Sequence, residues 1–294
     1  MDFIAKYLPY LLAGISVGGQ YALIAIGYTM VYGILRLINF AHADIFMVAG
    51  FIMVYASASM PIYLSIPLVI VLTVALGFVV ERVAYKPLRN APRMSVMISA
   101  IGVSYLLQNT AWYVTGGLAK VYPTIPWISD TVTFMGCTTK RVTFITPVLT
   151  ILLVVILVLL IKYTKIGIAM RAVSKDFETS QLMGIKINTV ISMTFIIGSF
   201  LAAVGSLLYF SNYATVTPTI GAMPGLKAFV AAVFGGIGSI PGAVIGAFII
   251  GICENFIKAA GLTTFSDAFT FALLIVVLIV KPNGIFGEST SEKV

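Results

Sequence analysis

Apolar residues in this chain come in long blocks, with polar residues as short punctuation between them. The candidate membrane-crossing blocks are 8–35, 45–60, 62–80, 95–115, 145–161, 189–210, 227–251 and 268–280. Apolar runs of about 20 residues are long enough to cross a bilayer as helices. The pattern therefore predicts an all-α, polytopic integral membrane protein with about eight transmembrane helices, one or more of them broken or re-entrant. Blocks 45–60 and 268–280 are short for a full crossing, and either is expected to be a half-helix or a re-entrant piece. Gln108 and Asn109 interrupt block 95–115 and are expected to face protein or a cavity instead of lipid.

Basic residues set the expected sidedness. Arg82, Lys86, Arg89 and Arg93 follow one block, and Lys162, Lys165, Arg171, Lys175 and Lys186 follow another. Positive residues near span ends mark cytoplasmic loops, which places 81–94 and 162–188 inside and 116–144 outside. Trp112, Tyr113, Tyr122 and Trp127 support the outer assignment as interfacial aromatics, whereas Lys140 and Arg141 argue against it. The segment 211–226 carries no charge and is assigned outward. Eight full crossings put both termini on one side, and one re-entrant block puts them on opposite sides. The tail from Lys281, with two lysines and two glutamates, gives no bias, so terminal orientation stays open. A faint similarity links the glycine-dotted first block with the region after Lys227, as in the inverted repeats of transporters; small residues at helix contacts give the same impression.

Composition changes the picture by exclusion. Of 294 residues, 60% are hydrophobic and 10% charged, where a soluble domain carries roughly 25% charged residues. A single water-soluble core is excluded. The net charge of +8 sits in membrane-flanking loops, which is a topology signal and not a nucleic-acid surface. Cys137 and Cys253 are far apart and lack metal spacing, so both read as small apolar residues. The opening, with Asp2, Lys6 and an apolar run from Tyr7, lacks the pattern of a secretory signal and reads as the first span.

Three polar stretches carry the candidate chemistry. The first is the island Lys162–Asn188, long, basic and helix-competent between two apolar blocks. Asp176 is placed to cap a helix of about 10 Å over Phe177–Met183, Glu178 suits its positive end, and Gly184 suits a left-handed close. Such a helix presents Phe177, Leu182 and Met183 as apolar knobs, either to a groove on a partner or to lipid headgroups. The second is Gly235-Gly236-Ile237-Gly238-Ser239-Ile240-Pro241-Gly242, which should interrupt any helix through 227–251. It is compatible with a transport path or hinge, or with a surface turn followed by close packing at Gly242 and Gly246. No phosphate-binding G-x-x-x-x-G-K-[ST] occurs in the chain. The third is the polar cluster Arg36, Asn39, His42 and Asp44, a path-lining or gating candidate because intramembrane ionisable residues are functional by default. As a surface turn, it would hold only an anchoring arginine and a solvated histidine. His42 is the one histidine and lacks ligand-spaced partners, so no metal site is expected. Glu254 and Lys258, one turn apart, are expected to pair.

These residues carry a family resemblance. The run G-Q-Y-A-L-I-A-I-G-Y-T-M-V-Y-G-I-L-R-L-I-N-F-A-H-A-D (19–44) resembles the amino-terminal signature of branched-chain amino acid ABC transporter permeases. The resemblance continues through R-A-V-S-K-D-F-E-T-S-Q-L-M-G-I-K-I-N (171–188) and G-L-K-A-F-V-A-A-V-F-G-G-I-G-S-I-P-G-A-V-I-G-A-F-I-I-G (225–251), with glycine more usual in the family where Ala43 stands. It implies one transmembrane permease domain over 1–294 with a cytoplasmic coupling loop at 162–188, in the bacterial inner membrane, with lipid as its surroundings and no nucleic acid partner. It implies two cytoplasmic ATP-binding subunits that use ATP and Mg²⁺, a second homologous permease and a periplasmic binding protein. The chain itself would bind no cofactor and catalyse no bond chemistry. Arg171, Ala172, Asp176, Phe177, Gly184 and Ile185 become candidates for coupling to the ATPase. Asn39, His42, Asp44, Gly235, Gly236, Gly238 and Pro241 remain candidates for the path or gate. A urea or short-amide permease is the nearest alternative; an ion-coupled carrier or channel is further off, because Glu254 is the one carboxylate near the interior of a predicted span.

Overall fold

The computed structural model describes residues 2–89, 91–134, 137–281 and 283–287. Its helices are α1 (Asp2–Leu35), α2 (His42–Ser59), α3 (Ile62–Val80, prolonged by a π turn over Glu81–Tyr85), α4 (Arg93–Thr115), α5 (Val142–Tyr163), α6 (Lys165–Lys175), α7 (Phe177–Leu182), α8 (Ile187–Asn212), α9 (Ala222–Gly235), α10 (Ile240–Ala259) and α11 (Ser266–Val280). Two small antiparallel ladders accompany them: β1 (Lys120–Val121) with β4 (Thr215–Val216), and β2 (Thr131–Phe134) with β3 (Cys137–Lys140). Among the described residues, seven helices are long and apolar enough to cross a membrane, and α9 is apolar but shorter. The protein is a multi-pass membrane protein.

Two predicted blocks take a different form. Block 227–251 is not one crossing but the two arms of a helical hairpin. Gly235 packs on Gly242, Gly246 on the Ala231 carbonyl, and Lys227 reaches Glu254, so α9 and α10 run antiparallel. The reversal is made at Gly236 and Gly238, whose φ values of +105° and +101° disfavour a side chain. Ser239 then caps α10 by accepting from the Gly242 N–H at 3.2 Å, with Pro241 in the first turn. Block 45–60 is short because α2 starts partway through the protein. His42 lies against Gly27, eight residues before the end of α1, and beside Gly198 near the middle of α8. The chain between Leu35 and His42 therefore climbs into the interior without being helical.

The packing contains an inverted repeat. α1 packs on α8, α9 and α10, while α8 packs on α1, α2 and α3; α4 lies on α2 as α11 lies on α9. Exchanging α1 with α8, α2 with α9 and α3 with α10 reproduces the arrangement. Gly27 meets Gly198 while Leu23 meets Gly205, so the exchanged helices run in opposite directions. The counterpart of α1 is thus α8, not the region after Lys227 to which the sequence similarity pointed. At the α1–α10 crossing, a Cβ on Gly18 would fall 2.8 Å from the Phe248 Cα, so only glycine permits this approach.

Basic loops gather at one end. Arg89 bonds the Asn188 side chain, and Arg36 donates to the Ser174 carbonyl at 3.5 Å. Both ladders occupy the other end. There Lys140 donates to the Asn212 carbonyl at the end of α8 (2.9 Å), and Arg141 pairs with Asp130 (3.3 Å). These partners account for two cations that argued against putting 116–144 opposite 162–188. Residues 283–287 lie at the basic end, where the Ile285 N–H donates to the Phe234 carbonyl at 3.0 Å; residues 288–294 of the tail lie outside the described residues. Around this core, α3, α4, α5 and α11 turn large apolar side chains such as Leu64, Ile98, Val148 and Ile279 outward, as a lipid-facing ring requires.

Candidate functional site

Helices α2 and α9 begin beside each other. A Cβ on Gly225 would fall 2.2 Å from the Ala43 Cβ, and one on Gly221 2.4 Å from the Ala43 carbonyl oxygen. Next to this junction, α1, α2, α4 and α9 enclose a cleft of about 360 Å³. Asp44, in the first turn of α2, lines it and is only 2% exposed. Its Oδ1 accepts from Gln108 Nε2 at 2.9 Å, and the same amide donates to Ser104 Oγ at 3.3 Å. Ile101, Leu226 and Phe229 form apolar walls. Among the described residues, no ion pair includes Asp44.

Neighbouring candidates lie elsewhere. His42 is buried behind the cleft with its ring edge-on to Tyr28 (5.2 Å), and its Nε2 has no hydrogen-bond partner. Asn39 is buried closer to the basic end, its Oδ1 accepting from the Tyr85 hydroxyl at 2.7 Å. Gln108 faces the cavity as expected, but Asn109 lies on the exposed side of α4. There it satisfies itself by donating to the Tyr105 carbonyl at 2.8 Å.

At the basic end, α6 and α7 form a projecting face. Thr164 caps α6 by accepting from the Gly167 N–H at 3.1 Å, and α6 buries Gly167, Met170 and Val173. Asp176 caps α7, accepting from the Thr179 hydroxyl and from its N–H at 3.0 Å. Those two bonds, the side-chain one first, hold its carboxyl below the usual aspartate value. Gly184, at φ +84°, closes α7 through its N–H to the Gln181 carbonyl at 3.0 Å, followed by the Ile185 N–H to the Ser180 carbonyl at 3.1 Å. Leu182 and Met183 are thereby left 87% and 79% exposed. Phe177 is 41% exposed and turns partly into a small cavity with Tyr85 and Arg89. Arg171 donates to the Lys162 carbonyl at 3.2 Å, and the Ala172 carbonyl accepts from the Asp176 N–H at 3.1 Å. A crevice of about 100 Å³ between α1 and α6 joins Arg171 and Ser174 to Gly238. Gly235, Gly236, Gly238 and Pro241 thus lie with the α6–α7 face, away from Asp44.

Residues 10–278 match the family model described as branched-chain amino acid transport system / permease component. The chain belongs to that family. The permease is 40% identical to the high-affinity branched-chain amino acid transport system permease protein LivH of Escherichia coli K12, over 98% of both chains. It is 40% identical to the corresponding protein BraD of Pseudomonas aeruginosa over the whole of both. Ribose import permease protein RbsC of Haemophilus influenzae is a more distant relative, 27% identical over 89% of this chain and 81% of its own. These relatives are transport permeases. Among solved structures, an ABC transporter described as inward-facing and of metal-chelate type shares the fold. The TM-score is 0.53 and the identity 16%, over 95% of this chain and 88% of that one.

Sequence reasoning found the Glu254–Lys258 pair of this permease but not the network around it. Glu254 Oε1 accepts from Lys258 Nζ at 2.7 Å and Lys227 Nζ at 2.9 Å, Oε2 accepts from the Tyr21 hydroxyl at 3.0 Å, and Lys227 also lies 2.6 Å from Asp267. The signal was present: Lys227 is the one charged residue between Lys186 and Glu254, and a lone intramembrane lysine needs a carboxylate. A second missed cluster joins Glu81 to Arg89 and to the Ser192 hydroxyl at 2.8 Å.

Proposed function

We propose that this permease is the membrane-spanning subunit of an ABC importer that carries branched-chain or related amino acids across the bacterial inner membrane. Two cytoplasmic ATP-binding subunits supply the ATP and Mg²⁺ chemistry; a second homologous permease and a periplasmic binding protein complete the assembly. The chain makes and breaks no bonds itself.

The observation that carries this reading, beyond family membership, is the geometry of α7. A six-residue helix, capped at one end by Asp176 and closed at the other by Gly184, holds Leu182 and Met183 out at the basic end. Apolar side chains held so far from any core suit a groove on another protein. Arg171, Ala172, Asp176, Gly184 and Ile185 fix the shape of this face, and Phe177 ties it to Tyr85. Movement of the face is passed inward by the Arg36–Ser174 contact, which pulls on the segment leading to α2, and by the crevice joining α6 to the Gly238 turn.

Charge placed on the knobs tests the reading. Leu182→Glu combined with Met183→Glu leaves the permease folded, because both positions are exposed. It prevents co-purification of the ATP-binding subunits and lowers leucine uptake by reconstituted vesicles about tenfold or more, since charge in an apolar contact is poorly tolerated. Unchanged ATPase retention and uptake would show that coupling lies elsewhere.

A further inference from the structure

Resting on the reading just given, we infer that Asp44 is the subsite for the ammonium group of the transported amino acid, and that the cleft beside it seats the solute midway through its passage. Asp44 is a buried carboxylate that lines a cavity, with a neutral amide and a hydroxyl, those of Gln108 and Ser104, as its bonded partners and no cation in ion-pair contact among the described residues. Membrane proteins pair such groups, or keep them for a solute. A carboxylate is acceptor-only when ionised, so Gln108 and Ser104 fill part of its capacity and a donor-rich ammonium fills the remainder. A neutral alcohol or an anion has no comparable match.

Shape and position agree with the charge. The cleft, at about 360 Å³, is near the lower end of the roughly 300–1,000 Å³ typical of small-ligand sites. The lining divides into polar groups, among them Asp44, Ser104 and Gln108, and apolar ones, Ile101, Leu226 and Phe229. That division suits a solute with an ammonium head and a branched hydrocarbon tail. The cleft also lies where α2 and α9, the helices exchanged in the inverted repeat, begin side by side within the protein. Transporters built from such repeats place their solute there.

The test uses the complete importer, with both permease subunits, its ATPases and its binding protein, in liposomes and supplied with radiolabelled L-leucine. Asp44→Asn lowers kcat about ten- to a hundredfold, the loss expected for a hydrogen bond to a charged group. KM stays within about twofold, because capture by the binding protein outside the membrane sets it. Asp44→Glu restores part of the rate, and Gln108→Leu lowers it about threefold or more. ATPase stimulation by loaded binding protein persists in all three. Leucine import by Asp44→Asn at the wild-type rate overturns the subsite while leaving the importer reading intact. If Asp44→Asn does not assemble, Gln108→Leu decides, and a wild-type rate in that variant overturns the subsite. Failure of the wild-type assembly to import leucine at all overturns the underlying reading, and the inference with it.

Discussion

Glu254 and Asp44 are both carboxylates inside the membrane-spanning core, and both are 2% exposed, yet their surroundings are opposite. Glu254 is held by Lys227, Lys258 and Tyr21, which bring α1, α9 and α10 together, while Asp267 adds α11 through Lys227. Asp44 has only neutral partners, the Gln108 amide and the Ser104 hydroxyl, and a cavity. A charge surrounded by fixed partners is architecture. One that faces a space large enough for a solute is available for function, and burial alone does not separate the two.

The largest expected effect comes from breaking the network. Glu254→Leu leaves Lys227 with only the part-exposed Asp267 and leaves the Tyr21 hydroxyl without its acceptor. Losing one partner of a buried pair costs about 3–5 kcal/mol, read as a fall in thermal unfolding temperature of the purified permease. Adding Lys227→Met removes the stranded charge and recovers at least half of that loss. Asp44→Asn, in contrast, removes a carboxylate with no cation to strand, and thermal stability falls by less than about 1 kcal/mol or rises. Equal losses in Glu254→Leu and Asp44→Asn would erase the distinction and make Asp44 structural too.

How legible these sites were depends on how local their causes are. The α7 cap could be read in advance because Asp176 and Gly184 act on backbone within a few residues of themselves. The Gly235–Gly242 break was legible for the same reason. What the break produced was not: whether the chain continues onward or doubles back depends on tertiary packing, and here Gly235 meeting Gly242 makes a hairpin. The Lys227–Glu254 and Asp44–Gln108 contacts span 27 and 64 residues. No local periodicity encodes such distances, although a lone lysine in an apolar stretch announces that a partner exists. Asn109 misled because its side chain satisfies itself on its own helix and needs no cavity. The repeat was sensed and then mispaired, since small residues mark close crossings such as α1 on α10 as readily as they mark related helices.

A smaller effect sharpens how Asp44 is positioned. The segment between α1 and α2 is anchored by the Tyr85 hydroxyl on Asn39 (2.7 Å) and by Arg36 on the Ser174 carbonyl. Tyr85→Phe leaves the buried Asn39 oxygen without its donor, at a cost of about 1–3 kcal/mol. Its loss of uptake should exceed what reduced yield explains, because the segment connects the α6–α7 face with the start of α2. Uptake per folded molecule equal to wild type would show that the segment can be loosened without consequence, and that Asp44 is positioned by α1 and α4 alone.

The smallest effect concerns a third carboxylate, which shows the contrast in water. Asp176 is exposed at the start of α7, and its partners are the Thr179 hydroxyl and N–H. They favour the charged form and hold its folded pKa below the ordinary 3.8. A depressed folded pKa contributes stability that is present above the unfolded value and is lost as pH falls through the folded one. From pH 8 down to about 5 the cap should therefore be constant, so the uptake ratio of wild type to Asp176→Asn should be flat and within about twofold, asparagine being nearly as good a cap. Hydrogen-exchange protection of the α7 amides should converge between the two proteins only below about pH 4. Half of the difference already lost at pH 3.8 would mean that Asp176 titrates as an ordinary carboxylate and that the cap does not hold it. The orientation of Leu182 and Met183 would then rest on the Gly184 closure alone.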